Sequence, residues 1–138
     1  MSANLDLVRS IFADSERGDF DRVFQSASEW AHPQIEYVIA DGPEPGSWSG
    51  LAGMAEAWRG LLSAWEDLRV IAEEYRELDD ERVLVLDRFS GQGRASGLDV
   101  GEIRTEGAQL FQIRGGKVIK NVAYADRDHA RADLGLEG

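Results

Sequence analysis

Residues 82–100 read RVLVLDRFSGQGRASGLDV, and two features of this stretch decide what fold the chain can adopt. The first is VLVL at 83–86, apolar at every position. Successive strand side chains point to opposite faces, so Val83 and Val85 share one face and Leu84 and Leu86 the other. A strand apolar on both faces is covered on both. The second feature is Gly91, Gly93 and Gly97 around an arginine, a composition that suggests a phosphate-cradling turn. A dinucleotide loop needs a strand, then G-x-G-x-x-G, then a helix whose N-terminus holds the pyrophosphate. Here Ser96 occupies the third glycine position, and no Lys follows as a P-loop requires. Downstream, LDVGEIRTEGAQLF (98–111) is strand-like and contains no amphipathic helix. The glycines therefore read as a wide hairpin joining two long strands, with bends that glycine takes at low steric cost.

Upstream the period lengthens. Leu5, Val8, Ile11 and Phe12 recur at helical spacing, with Ser2 or Asn4 as cap and Gly18 as stop. Asp19 can cap a shorter helix carrying Phe20, Val23, Phe24 and Ala27. His32-Pro33 breaks that pattern, and Ile35, Tyr37 and Ile39 then alternate as in a strand. DGPEPGSWSG (41–50) has two prolines and three glycines and reads as a loop. Met54, Trp58, Leu61 and Trp65 stripe one face of a third helix. Strands are expected at 68–77, 82–90, 98–104, 105–114 and 117–125, with turns at Asp79-Asp80 and Gly115-Gly116. Asp126 caps a last helix ending near Gly135. Helices first and a strand meander afterwards make one α+β domain over 1–138. Helices cover one side of its sheet, so the doubly apolar strand predicts a homodimer through the other, with Val83, Val85 and Phe89 contributing.

Composition narrows the function. The 26 acidic against 15 basic residues give a net charge of −11, which argues against nucleic acid and anionic membranes as partners. The absence of cysteine excludes disulfides, thiolate catalysis and sulfur-ligated metals. His32 and His129 have no flanking ligands and form no metal signature. No cofactor is implied. MSANLDLVRSIF lacks the basic lead and apolar run of a signal peptide, and a cytoplasmic location is the expectation.

The order of segments resembles a known family. Helix, Gly18-Asp19, helix, then HPQIEY, GPEPGSWSG, AWEDLRV, RVLVLDRFSGQGRASG, LFQIRGGKV and YADRDHARADLGL are similar to the SnoaL-like group. That group belongs to the superfamily of nuclear transport factor 2, ketosteroid isomerase and limonene epoxide hydrolase. The resemblance runs from Leu5 to Leu136. It implies a cone-shaped α+β fold: a curved mixed sheet wrapped around three N-terminal helices, with a pocket at the open end, in a homodimer. The isomerases' tyrosine, base and acid fall on Ile11, Tyr37 and Gln109, and none matches. Of the epoxide hydrolase residues only the arginine matches, at Arg82; Leu84 and Ala123 replace the two carboxylates, and without a base no water is activated.

These correspondences set an expected pocket. With Tyr37 inward, Ile35 and Ile39 follow, and Asp41 stands at the mouth. With Arg82 inward, Leu84, Leu86 and Arg88 follow, and Asp87 faces the interface or convex side. Gln109 shares a face with Phe111, and Asn121 with Ala123; Trp58 falls where the isomerases place a pocket aromatic. The result is a mostly apolar cavity with a few polar groups, as small-molecule sites are. Asp41 is the expected base, Tyr37 the donor, and Arg88 the group that grips a ligand carboxylate or enolate. The structural alternatives are a core tyrosine at Tyr37, an amide pair of Gln109 and Asn121 satisfying each other, and an Arg88 that reaches the rim. Two functions remain open: an enzyme of cyclase, isomerase, lyase or hydrolase type on a small hydrophobic or anionic metabolite, or a non-catalytic ligand-binding or interaction domain.

Overall fold

The early helical period and the later strand period are both realised. The computed structural model describes residues 3–17, 19–41, 45–93 and 102–136. Helices α1 (Ala3–Glu16) and α2 (Phe20–Trp30) lead into strands β1 (Ala31–Ile39) and β2 (Gly46–Ser49). Helix α3 (Gly50–Ala64) follows, then β3 (Trp65–Glu77), β4 (Arg82–Gly93), β5 (Glu102–Arg114), β6 (Lys117–Tyr124) and α4 (Arg127–Asp133). The six strands form one curved, unclosed sheet in the order β2-β1-β6-β5-β4-β3. β1 runs parallel to β6 and every other pair is antiparallel, which makes the sheet mixed.

Local chemistry explains several boundaries. The Asp19 carboxylate accepts from the Arg22 N–H and starts α2. Asp126 does the same for α4 through the Asp128 N–H. Gly115 and Gly116 turn β5 into β6 with φ of +61° and +78°, the two positive values that a two-residue hairpin of this hand needs. β4 and β5 pair directly, out to Gln92 opposite Glu102. A strand thus stands where a dinucleotide loop would need a helix. The hairpin's tip at 94–101 lies outside the described residues.

Four assignments differ from the sequence reading. β1 begins at Ala31 and runs through His32-Pro33, with a register shift between Ala31 and Glu36 that accommodates the proline. The segment 46–49, read as loop, is an edge strand whose Trp48 pairs with Tyr37. Trp65, read as helical, opens β3, and the expected break between strands at 104 and 105 is absent, since β5 runs unbroken from Glu102 to Arg114; residues 98–101 of the first expected strand lie outside the described residues.

The two faces of the sheet carry two cores. On the inner face Ile35, Tyr37, Val83, Val85, Phe111 and Ile113 pack against Val8 and Phe12 of α1, Val23 and Trp30 of α2 and Met54 of α3. On the outer face Leu84, Leu86, Leu110 and Val122 pack with Ala130 of α4 and with Leu134 and Leu136 beyond it. The parity expected for β4 is therefore reversed. Val83 and Val85 point into the cone, and Leu84, Leu86 and Arg88 point out. On the outer face Leu84 is 1% exposed within one chain, in one cluster with Ala130 of α4 and with Leu134 and Leu136.

Candidate functional site

The inner core is incompletely filled. A cavity of about 90 Å³ lies among α1, α2, α3 and the inner sheet face. Its walls are largely aromatic: Phe12, Trp30, Tyr37, Trp58 and Phe111. Tyr37 meets Trp58 edge-on, with ring centroids 6.2 Å apart at 87°, and Trp30 lies 6.0 Å from Trp58. Phe12 and Phe111 are edge-on at 5.9 Å. Such contacts hold rings in fixed orientations and give the cavity a defined shape.

Polar groups enter from two sides. Tyr37 is 6% exposed, and burial pushes its hydroxyl up to about 12, moderated by a hydrogen bond with Trp58, so it stays protonated at neutral pH. The Trp30 indole N–H is buried and finds no acceptor among the described residues, although it belongs to a residue of the cavity wall. On the sheet, Asn121 Nδ2 donates to the Leu110 carbonyl (3.1 Å) and to Gln109 Oε1 (3.5 Å). Gln109 Nε2 in turn donates to Asp87 Oδ2 at 2.8 Å. This relay crosses β6, β5 and β4 on the inner face.

Asp87 is the acid at its end, and it is 3% exposed. Burial pushes its carboxyl up to about 6, against the hydrogen bond from Gln109 and the charge of Arg127, which lower it. Its neighbours are shaped to admit it. A Cβ on Gly107 would stand 3.2 Å from Asp87 Oδ1 and 2.4 Å from the Tyr124 carbonyl oxygen, so only glycine fits at that approach. Arg127 braces the same corner, donating from Nε to the Gly107 carbonyl (3.0 Å) and from Nη2 to the Asp87 carbonyl (2.8 Å).

The residues expected from sequence divide between the two faces. Tyr37, Trp58, Gln109, Asn121 and Phe111 all line the cavity. Asp41 does not. Its Oδ1 accepts from the Ala125 N–H and its Oδ2 pairs with His129 Nδ1, which ties the end of β1 to α4. That bond raises the His129 pKa above 6.5. Arg88 is the clear correction: it lies on the outer face, 42% exposed, with Nη1 4.0 Å from Glu73 Oε2. Its neighbours Leu84 and Leu86 belong to the outer core. Asp87, assigned by the same parity to the convex side, is the inner carboxylate. Sequence reasoning also passed over Trp30, although it continues the Val23–Ala27 stripe of α2 by one helical step. Among the described residues, no three His, Asp or Glu side chains converge to hold a metal ion. No described helix is long and apolar enough to cross a membrane.

The sequence profile of the SnoaL-like domain matches residues 8–121. The chain belongs to the SnoaL-like family. No curated protein sequence matches it. Solved structures carry the same fold at low identity. A candidate SnoaL-like polyketide cyclase from Jannaschia sp. CCS1 is 16% identical, with TM-score 0.75, over 99% of this chain and 94% of that one. A hypothetical protein with a ketosteroid isomerase-like fold from Catenulispora acidiphila, in complex with trimethylamine, is 13% identical, with TM-score 0.70, over 95% and 93%. A candidate hydroxylase, AclR from Streptomyces galilaeus, is 17% identical, with TM-score 0.65, over 94% and 93%.

Proposed function

We propose that this SnoaL-like protein binds a small, mostly apolar molecule in the cone and receives one of its oxygens at the polar wall. The observation that carries this reading is the Trp30 indole N–H, buried at the cavity with no acceptor. A buried donor left unmatched costs about 1–3 kcal/mol, which a ligand oxygen would recover. The Tyr37 hydroxyl is a second donor on the same cavity. A carbonyl, phenol or enol suits such a site better than a hydrocarbon. Aromatic walls also attract alkylammonium ions, and the Catenulispora neighbour is in complex with trimethylamine. An ammonium, however, has no acceptor to offer Trp30.

Asp87 supports an enzymatic role of the cyclase or isomerase kind. A carboxyl with a pKa of about 6 can take and return a proton near neutral pH, and here it would do so through a water that bridges it to the cavity once the Gln109 amide turns aside. A binding-only domain would use the same pocket, with Asp87 holding the Gln109 amide in place.

The test compares acetophenone with ethylbenzene, two probes of similar size, by NMR titration of the Trp30 indole N–H. Acetophenone should bind about tenfold more tightly and shift that resonance, and Trp30→Phe should erase the difference. Equal affinities, or no binding of either probe, would overturn the proposal. If Asp87 exchanges a proton with the ligand, Asp87→Asn should abolish solvent deuterium exchange at the acetophenone methyl while preserving affinity.

A further inference from the structure

The inner cavity is small beside the roughly 300–1,000 Å³ of most small-molecule sites. A second space of about 430 Å³ lies between α2 and α3, and Trp58 lines both. The outer cleft exists because the facing helices present small side chains there: Ala27 and Ser28 on α2, Ala52 and Ala55 on α3. Three rings lead inward from it. Phe24 lines the cleft and lies 5.1 Å from Trp58, and Trp58 lies 6.0 Å from Trp30 in the cavity wall.

One charged side chain lines this cleft, Arg59. In a chain of net charge −11, eight lysine and arginine side chains among the described residues have a carboxylate within 4.0 Å. Arg59 has no ion pair or hydrogen-bonding partner among the described residues, and Glu56, one turn earlier on α3, does not pair with it. A guanidinium at the edge of an apolar cleft with no carboxylate partner among the described residues is suited to receive an anion from outside. Its planar fork of donors matches a carboxylate in two places.

We infer that the α2–α3 cleft is the outer half of the ligand site, where Arg59 holds the carboxylate of an amphipathic acid whose apolar body runs past Trp58 into the cone. The inference rests on the cavity reading above and narrows it. The ligand is an apolar carboxylic acid with a carbonyl or hydroxyl oxygen at the end far from the carboxylate. The far oxygen meets Trp30 and Tyr37, and the carboxylate stays at the solvent edge, where its desolvation cost is low.

The experiment uses 4-(4-acetylphenyl)butanoate and its methyl ester, titrated calorimetrically at low salt against the wild-type chain and Arg59→Met, Arg59→Lys and Arg22→Met variants. The acid should bind wild type about tenfold more tightly than the ester. Arg59→Met should bring the acid down to the ester's affinity and leave the ester unchanged. Arg59→Lys should keep part of the preference, and Arg22→Met, at another exposed arginine, all of it. Ester binding without a preference for the acid, or a preference that survives Arg59→Met, would overturn the anion site and leave the cone reading standing. Failure of both molecules to bind would overturn both.

Discussion

Replacing Asp87 with Asn removes the only buried charge among the described residues while keeping its shape and its acceptor for Gln109. The folded carboxyl titrates near 6 and the ordinary value is 3.8, so the folded state holds this proton more tightly than the unfolded chain. Below pH 3.8 both states are protonated and burial of the group carries no charge penalty. As pH rises, the unfolded chain ionises first and the folded state loses stability until pH passes about 6, where the loss is complete. At 1.36 kcal/mol per pH unit the separation corresponds to about 3 kcal/mol, roughly half of it already lost at pH 5. Asparagine has no such term. Urea unfolding of both proteins should therefore show the variant gaining on wild type by about 1–2 kcal/mol between pH 5 and pH 8. Carboxylates remote from Asp87, such as Asp79, cancel in this difference. A stability difference that stays flat over the interval would refute the buried, proton-retaining Asp87, as would a side-chain carboxyl resonance titrating near 4.

Three further outcomes follow from the geometry. Gly107→Ala places a methyl 2.4 Å from the Tyr124 carbonyl oxygen; backbone must move, and the urea midpoint should fall by the equivalent of about 2–4 kcal/mol. A near-wild-type midpoint would show that β5 and β6 are not held so closely there. Trp30→Phe deletes a donor that has no partner, so stability measured without ligand should change by no more than about 1 kcal/mol in either direction; a large loss would mean that the indole N–H is bonded after all. The Asp41–His129 pair should make the docking of α4 pH-dependent. His129 has a folded pKa above 6.5, so its contribution is fully present below pH 6.5 and is lost as pH rises through the folded value. Carbon-13 NMR of the His129 ring should show the raised pKa, and Asp41→Asn should return it towards 6.5; an unshifted His129 in the wild type would dissolve the latch.

The cavity's aromatic and amide residues were legible because local pattern and family register agree there. Ile35, Tyr37 and Ile39 alternate at strand period and Trp58 follows Met54 at helical spacing, while Gln109 was placed by its count from Gly116-Lys117-Val118 to the isomerases' acid position. β4 offers no contrast between neighbouring positions. With Val83 to Leu86 all apolar, period-2 alternation separates two faces without saying which is inner, and borrowing parity from Arg82 inverted the strand. The same inversion sent Asp87 outward and Arg88 inward. Trp48 hid its strand for another reason: the prolines and glycines around it are turn formers, and only pairing with β1 holds 46–49 extended.

By itself the sequence determined the order of the helices and of every strand but β2, the α+β class, the cap at Asp126 and the Gly115-Gly116 hairpin. These depend on neighbours within a few residues, where side-chain period and backbone sterics act directly. Only the tertiary structure decided which face of β4 lines the cone, that α4 packs against the other face, that Asp41 belongs to His129, and that the acid beside Gln109 is Asp87. Each of these is a contact between residues far apart in the chain. Such contacts are settled by which apolar surfaces bury together, and the local pattern of any one strand carries no record of its partner.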